Sequence, residues 1–157
     1  MVEVLIAFEW HPKTPLEFVI FFVLVWCTVC FILATIGGWR CLAETYRFEG
    51  TFEGSRWRFT SARMRWGVNY NGCLTIGANE RGLYVAVLLP FRLAHPPLFI
   101  PWSDIGVTEQ RGLVFRYLEF GFLKAPGVPF RVRHQLGSAL LEAGGWEADG
   151  LREKMIT

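Results

Sequence analysis

Hydrophobic and polar positions divide the chain into two stretches with different periods. From Phe18 to Trp39 there is no Asp, Glu, Lys or Arg, an uncharged run of 22 residues. At about 1.5 Å rise per residue, a helix of that length covers roughly 33 Å. The hydrocarbon core of a bilayer is about 30 Å thick, so the run predicts a transmembrane helix. Its start is written locally. Thr14 as N-cap, Pro15 at the first helical position and Glu17 reaching back to the cap form a capping box. At the far end Gly37-Gly38 offers a stop, yet Trp39, Leu42, Ala43 and Tyr46 continue a helical stripe. The stripe predicts one helix that runs past the glycines, a transmembrane segment with a juxtamembrane extension over residues 16–46. Residues 1–15 are then a short extracytoplasmic segment, with Trp10, Trp39 and Arg40 as anchors near the two interfaces.

Two other readings compete for the run. A buried helix of a soluble protein seldom carries apolar residues on every face for so long. A cleavable signal peptide needs a basic leader, but residues 1–17 hold Glu3, Glu9 and Glu17 against Lys13, and no small-residue cleavage site follows. Beyond the span come Arg40, Arg47, Arg56, Arg58, Arg63 and Arg65. By the positive-inside rule this asymmetry puts the N-terminus outside and residues 40–157 in the cytoplasm, a single pass through the inner (plasma) membrane.

After residue 50 the period shortens to alternation, with segments separated by Gly, Pro and Asn. Trp57 and Phe59 are apolar at odd positions, Ala62, Met64 and Trp66 at even ones. A strand with one buried face changes phase only by inserting a residue, which predicts a β-bulge or bend near Thr60-Ser61. With that slip, Arg56, Arg58, Arg63 and Arg65 share a solvent face. Cys73–Ala78 and Gly82–Leu89 read as a hairpin across Asn79-Glu80-Arg81, the second strand apolar on both faces. Leu98–Trp102 and Ile105–Glu109 read as the next pair, broken at Ser103-Asp104. Leu113–Phe122 and Val128–Arg133 read as another, turning at Pro126-Gly127. Gln135–Ala143 predicts an amphipathic helix ended by Gly144-Gly145, and residues 144–157 a polar tail. About seven short strands and a closing helix imply a mainly β domain, a sandwich or barrel whose helix plugs an open end.

The order of elements and the stretch Leu98-Phe99-Ile100-Pro101-Trp102-Ser103-Asp104-Ile105 resemble bacterial pleckstrin-homology-like (PH-like) domain membrane proteins of uncharacterised function, over residues 50–143. The resemblance implies a PH-like split β-barrel of antiparallel strands closed by a C-terminal helix, a binding module without catalysis. It supplies no functional residue.

Composition adds limits. The chain of 157 residues is 52% hydrophobic with net charge +2, too apolar for disorder. Cys27 and Cys30 match C-x-x-C spacing but lie inside the apolar span without companion ligands, so they read as small apolar residues. Cys41 and Cys73 lack a paired histidine motif. Cys41 falls at the inner membrane edge, where palmitoylation occurs in other proteins, but the plain reading is a passive thiol. His11 lies across the bilayer from His95 and His134, which leaves no three-histidine metal site; no metal or cofactor is expected. His95 with Ser103 and Asp104 is the least implausible hydrolytic set, but no G-x-S-x-G elbow accompanies it and Ser-Asp is ordinary turn chemistry.

Charge is the feature above background. Residues 54–133 carry a local +7 against −5 for the rest. A basic domain at an anionic leaflet gains about 1 kcal/mol per Lys or Arg held near the surface. The expectation is a membrane-surface module with Arg56, Arg58, Arg63 and Arg65 on anionic lipid or a protein partner. A structural subunit of a membrane complex, with Phe115, Tyr117 and Phe120 exposed, is the alternative. Neither nucleic acid nor a small-molecule substrate is implied.

Overall fold

The computed structural model of the chain describes residues 13–146. Helix α1 (Pro15–Ile36) starts at Thr14, whose Oγ1 accepts the Glu17 N–H at 3.2 Å. The glutamate turns back as expected, but its carboxylate takes the Lys13 N–H at 2.9 Å, one residue ahead of the cap. Among the described residues α1 alone is long and apolar enough to cross a membrane, with mean hydropathy 2.8 over a window only 11% buried.

The expected single helix to Tyr46 is corrected: the chain breaks at the glycines and restarts as α2 (Trp39–Tyr46). Gly38 sits at φ +85°, a left-handed conformation that glycine adopts freely, and a Cβ there would meet Val128 at 2.6 Å. The stripe predicted for the extension is real but faces the domain, since Trp39, Leu42 and Tyr46 are all buried. Trp39 is therefore a core residue, 0% exposed, and not an interface anchor. Its indole N–H donates to the Pro96 carbonyl at 2.9 Å. Arg40 is exposed and lies over the Phe31 ring at 4.8 Å. Trp10 lies outside the described residues.

Seven strands follow: β1 (Ser55–Arg63), β2 (Asn69–Asn79), β3 (Gly82–Val87), β4 (Leu98–Pro101), β5 (Ile105–Arg111), β6 (Arg116–Phe122) and β7 (Ala125–Arg133). They form one antiparallel sheet in the order β4-β3-β2-β1-β7-β6-β5. The expected β4–β5 pair is thus corrected, because these consecutive strands are the two opposite edges. In a flat sheet at about 4.8 Å per strand, those edges would stand about 29 Å apart. Pro101 and Ile105 are joined by the short 3₁₀ turn Trp102–Asp104, and a chain of that length reaches at most about 14 Å. The sheet must bend strongly on itself while staying open.

The bulge in β1 is where the phase change puts it, with shifts of register between Trp57 and Thr60 and between Thr60 and Ala62. The core side differs from expectation: Phe59, at φ 56°, and Trp66, at φ 57°, are 70% and 83% exposed. The β2–β3 hairpin closes on the Asn79–Gly82 pair, and β3 is buried along its whole length between β2 and β4. The β6–β7 turn is Leu123-Lys124 rather than Pro126-Gly127, which lie inside β7; Leu113–Phe115 belongs to the β5–β6 loop. Phe120, expected on the surface, is 0% exposed. Helix α3 (His134–Ala143) ends at Gly144 as expected and packs on β2, β6 and β7, with Gly137 against Leu118. Trp146, in the expected polar tail, sits 5.8 Å from Trp102.

One core joins sheet and helices, from Ala34 and Trp39 through Leu74, Ile76, Phe120 and Phe130 to Leu140 and Leu141. Each fully buried Leu or Phe contributes about 1.5–3 kcal/mol. At one edge of this core, the Tyr46 hydroxyl donates to Asp104 at 3.1 Å and accepts the Lys124 N–H at 3.3 Å, while the Lys124 ammonium meets Asp104 at 3.2 Å. These contacts tie α2 to two connections of the sheet.

Candidate functional site: a basic groove where the sheet gapes

Between β1 and β7 only one residue pair bridges, Arg63 with Arg131. The ladder opens there into a groove of about 820 Å³, lined by Arg63, Arg111, Arg131 and Arg133 with Asn69, Asn71, Gln110 and Tyr117. Among the described residues no acidic side chain lines it. The arginines reach it through strand alternation. In β7, Phe130 and Val132 turn into the core while Arg131 and Arg133 turn out.

Partners inside the protein are few. Arg131 pairs with Glu119 across the β6–β7 ladder, and the Arg133 guanidinium lies 5.2 Å from the Phe115 ring centre. Among the described residues no ion pair takes Arg63, Arg111 or Arg133. A cleft walled by guanidinium groups, with amide and hydroxyl donors between them, suits a phosphate or carboxylate, because the planar fork of arginine matches such anions with paired hydrogen bonds.

The four arginines expected to share a face do not. Arg56 lies over the Phe52 ring at 5.3 Å and bonds the Phe52 carbonyl, near a second cleft of about 610 Å³ between Phe48, Phe52, Phe99 and Asn79. Arg58 is exposed. Arg63 alone enters the basic groove. Arg65 turns to the end of α1, its Nε and Nη2 donating to the Ile36 and Thr35 carbonyls at 3.1 and 2.9 Å. The double bulge, which reorients the chain between Trp57 and Ala62, scatters them. In the sequence Arg111, Arg131 and Arg133 add only to the local charge, although outward arginines at i and i+2 in β7 carry the same alternation signal as β1.

The hydrolytic set does not assemble. His95 is 2% exposed, with Nε2 2.9 Å from the Tyr70 hydroxyl and Nδ1 3.0 Å from the Phe91 carbonyl. A carbonyl only accepts, so Nδ1 carries the proton and Nε2 accepts from Tyr70. Burial holds the His95 pKa below its ordinary value and raises that of Tyr70. Ser103 is exposed in the β4–β5 turn, beside Asp104 at 3.5 Å, whereas His95 belongs to the β3–β4 connection at the other end of the sheet. His134 contacts Ser138 at 3.4 Å. Among the described residues no three His, Cys, Asp or Glu side chains group as metal ligands. Cys41 is exposed and Cys73 half-buried, where burial pushes its thiol pKa up.

A scan against family models, a search of curated proteins and a search of solved structures each found no match to this chain.

Proposed function

We propose that the chain is a single-pass protein of the inner (plasma) membrane, N-terminus outside, whose cytoplasmic PH-like module binds anionic lipid headgroups through the basic groove, without catalysis. The carrying observation is the position of that groove. Its Arg63 is two residues from Arg65, which holds the last carbonyls of α1. If α1 crosses the bilayer, the groove opens where the headgroups lie. The exposure of α1 supports the crossing, since a core helix of a soluble protein would be covered. The basic stretch that follows α1 supports the orientation. The PH-like reading is supported by the bent seven-strand meander, whose fourth and fifth strands are its two edges, and by the C-terminal helix packed against it.

The test uses the full chain, because α2 supplies core side chains that a fragment starting at residue 47 would lack. Released from mixed detergent–lipid micelles into native mass spectrometry, the chain retains phosphatidylglycerol in preference to phosphatidylcholine. The triple variant Arg63→Gln, Arg111→Gln, Arg133→Gln loses the preference with an unchanged circular dichroism spectrum. Equal retention of the two lipids by the unsubstituted chain refutes headgroup binding.

A further inference from the structure

The sheet has two ends, and they differ in kind. In an antiparallel meander, successive connections alternate ends, so β1–β2, β3–β4 and β5–β6 share one end while β2–β3, β4–β5 and β6–β7 share the other. The first set carries Trp66, Leu89, Leu93, Leu113, Val114 and Phe115, each between 51% and 108% exposed. The second set is Glu80-Arg81, Trp102-Ser103-Asp104 and Leu123-Lys124, where Leu123 is the one exposed large hydrophobic side chain. Monomeric soluble domains seldom gather exposed apolar side chains on one end without a covering partner.

The first end is also where α1 meets the domain. Arg65, beside Trp66, bonds the carbonyls of Thr35 and Ile36. The short 3₁₀ segment Leu89–Ala94 sits higher up the helix. The Trp26 indole N–H donates to the Pro90 carbonyl at 2.9 Å, and its ring lies 5.0 Å from Phe91. Trp26 precedes Ile36 by about 15 Å along the helix axis, roughly half the thickness of a hydrocarbon core. The side of α1 turned away from this segment carries no charge to its end: Val29, Phe31, Ile32 and Ile36 are exposed, and the hydroxyls of the exposed Thr28 and Thr35 donate to the Leu24 and Phe31 carbonyls at 2.8 Å. The lower half of α1 therefore has no water-facing side, and whatever lies beside it shares its surroundings.

The backbone of the β3–β4 connection is composed for such surroundings. Unsatisfied N–H and C=O groups are costly in hydrocarbon. Pro90, Pro96 and Pro97 have no N–H to satisfy. The carbonyls of Pro90 and Pro96 accept from the indoles of Trp26 and Trp39, that of Pro97 from the Phe48 N–H, and that of Arg92 from the His95 N–H. Arg92, exposed in the same segment, is its one charged residue and the feature that opposes burial in hydrocarbon.

We infer that these three connections form an apolar rim embedded in the acyl chains of the leaflet that α1 leaves, with Leu89–Ala94 inserted beside the helix. The inference rests on the membrane reading above and goes beyond it, because the domain is then partly immersed rather than tethered over the surface. Spin labels at Leu89→Cys, Leu93→Cys, Leu113→Cys, Leu123→Cys and Val23→Cys test it, one at a time, in the full chain with its native cysteines replaced by alanine and reconstituted in phosphatidylcholine–phosphatidylglycerol vesicles. Relaxation by oxygen exceeds that by a polar nickel chelate at 89, 93 and 113, as at 23, and the order reverses at 123. Chelate access at 89, 93 or 113 with 23 in lipid overturns the rim and leaves the span standing. Exclusion of both reagents at the rim places protein there and overturns it as well. Chelate access at 23 overturns span and rim together.

Discussion

Trp39 distinguishes an apolar helix that happens to precede a domain from one that is joined to its core. The substitution Trp39→Ala removes a side chain that is 0% exposed and packed between Tyr70, at 5.5 Å, and His95, at 5.1 Å. Truncating a buried aromatic residue costs about 3–5 kcal/mol through lost transfer energy and the cavity left behind. The Pro96 carbonyl also loses its indole donor; an orphaned buried acceptor costs about 1–3 kcal/mol, and the two effects overlap, so about 4 kcal/mol is the working figure. With a urea slope near 2 kcal/mol per M, the midpoint falls by about 2 M. The assay is urea unfolding of the full chain in mild nonionic detergent, followed by near-ultraviolet circular dichroism. Trp39→Phe falls between, keeping a ring but losing the N–H. Trp66→Ala, which removes an 83% exposed indole, leaves the midpoint in place. An interface anchor would leave the midpoint in place, so a Trp39→Ala midpoint within about 0.5 M of the unsubstituted chain refutes the core assignment.

Two further outcomes follow from the same region. Gly38→Ala lowers the urea midpoint for two reasons: a left-handed backbone costs an L-residue about 1–2 kcal/mol, and the new methyl meets Val128 at 2.6 Å, overpacking of about 1–3 kcal/mol. Gly72→Ala, at φ +64° with open space around it, pays the first cost alone, so equal effects would contradict the contact. Stability also depends on pH through His95, whose native pKa lies below the ordinary 6.5 because burial disfavours its charge. As pH falls past 6.5 the unfolded chain takes up a proton that the native imidazole does not, so stability is full above that value and declines as pH drops toward the native pKa. The urea midpoint therefore decreases through this window, less so in His95→Gln; the same slope in both chains rules out His95 as its source.

What the sequence disclosed was set by period and local chemistry. The α1 start, the β1 bulge and the end of α3 depend on neighbours within a few positions and stand where the pattern put them, and the β2–β3 hairpin stands there too, with Asn79 in the ladder rather than in the turn. The failures share a cause. The stripe Trp39, Leu42, Tyr46 reads the same whether it faces lipid or a domain core, because both media are apolar. The pairing of β4 with β3 and of β5 with β6 is a global choice, and adjacency in sequence favoured the wrong neighbour. Pro126-Gly127 carried a stronger turn signal than Leu123-Lys124, yet the ladder from Leu118 to Phe122 already fixed where β7 begins. The groove was half legible: alternation gives outward arginines in β1 and β7, but only the fold shows that the strands part at Arg63 and Arg131.

The join between helix and domain bears on how the proposed module would work. A flexible linker lets a tethered domain sample many poses, and ordering it against a surface then costs conformational entropy. Here there is no such linker. Cys30 and Ala34 of α1 are buried, the break spans only Gly37-Gly38, and α2 enters the core on its first residue, Trp39. Two contacts fix the approach of the domain to α1, Trp26 with Pro90 and Arg65 with the last carbonyls, and Trp39 with Pro96 fixes α2 just beyond the break. On the proposed reading the groove meets the leaflet in one pose, settled at folding rather than at binding. A headgroup bound there would order little of the protein, so weak individual arginine contacts suffice for selectivity among lipids already present at high local concentration.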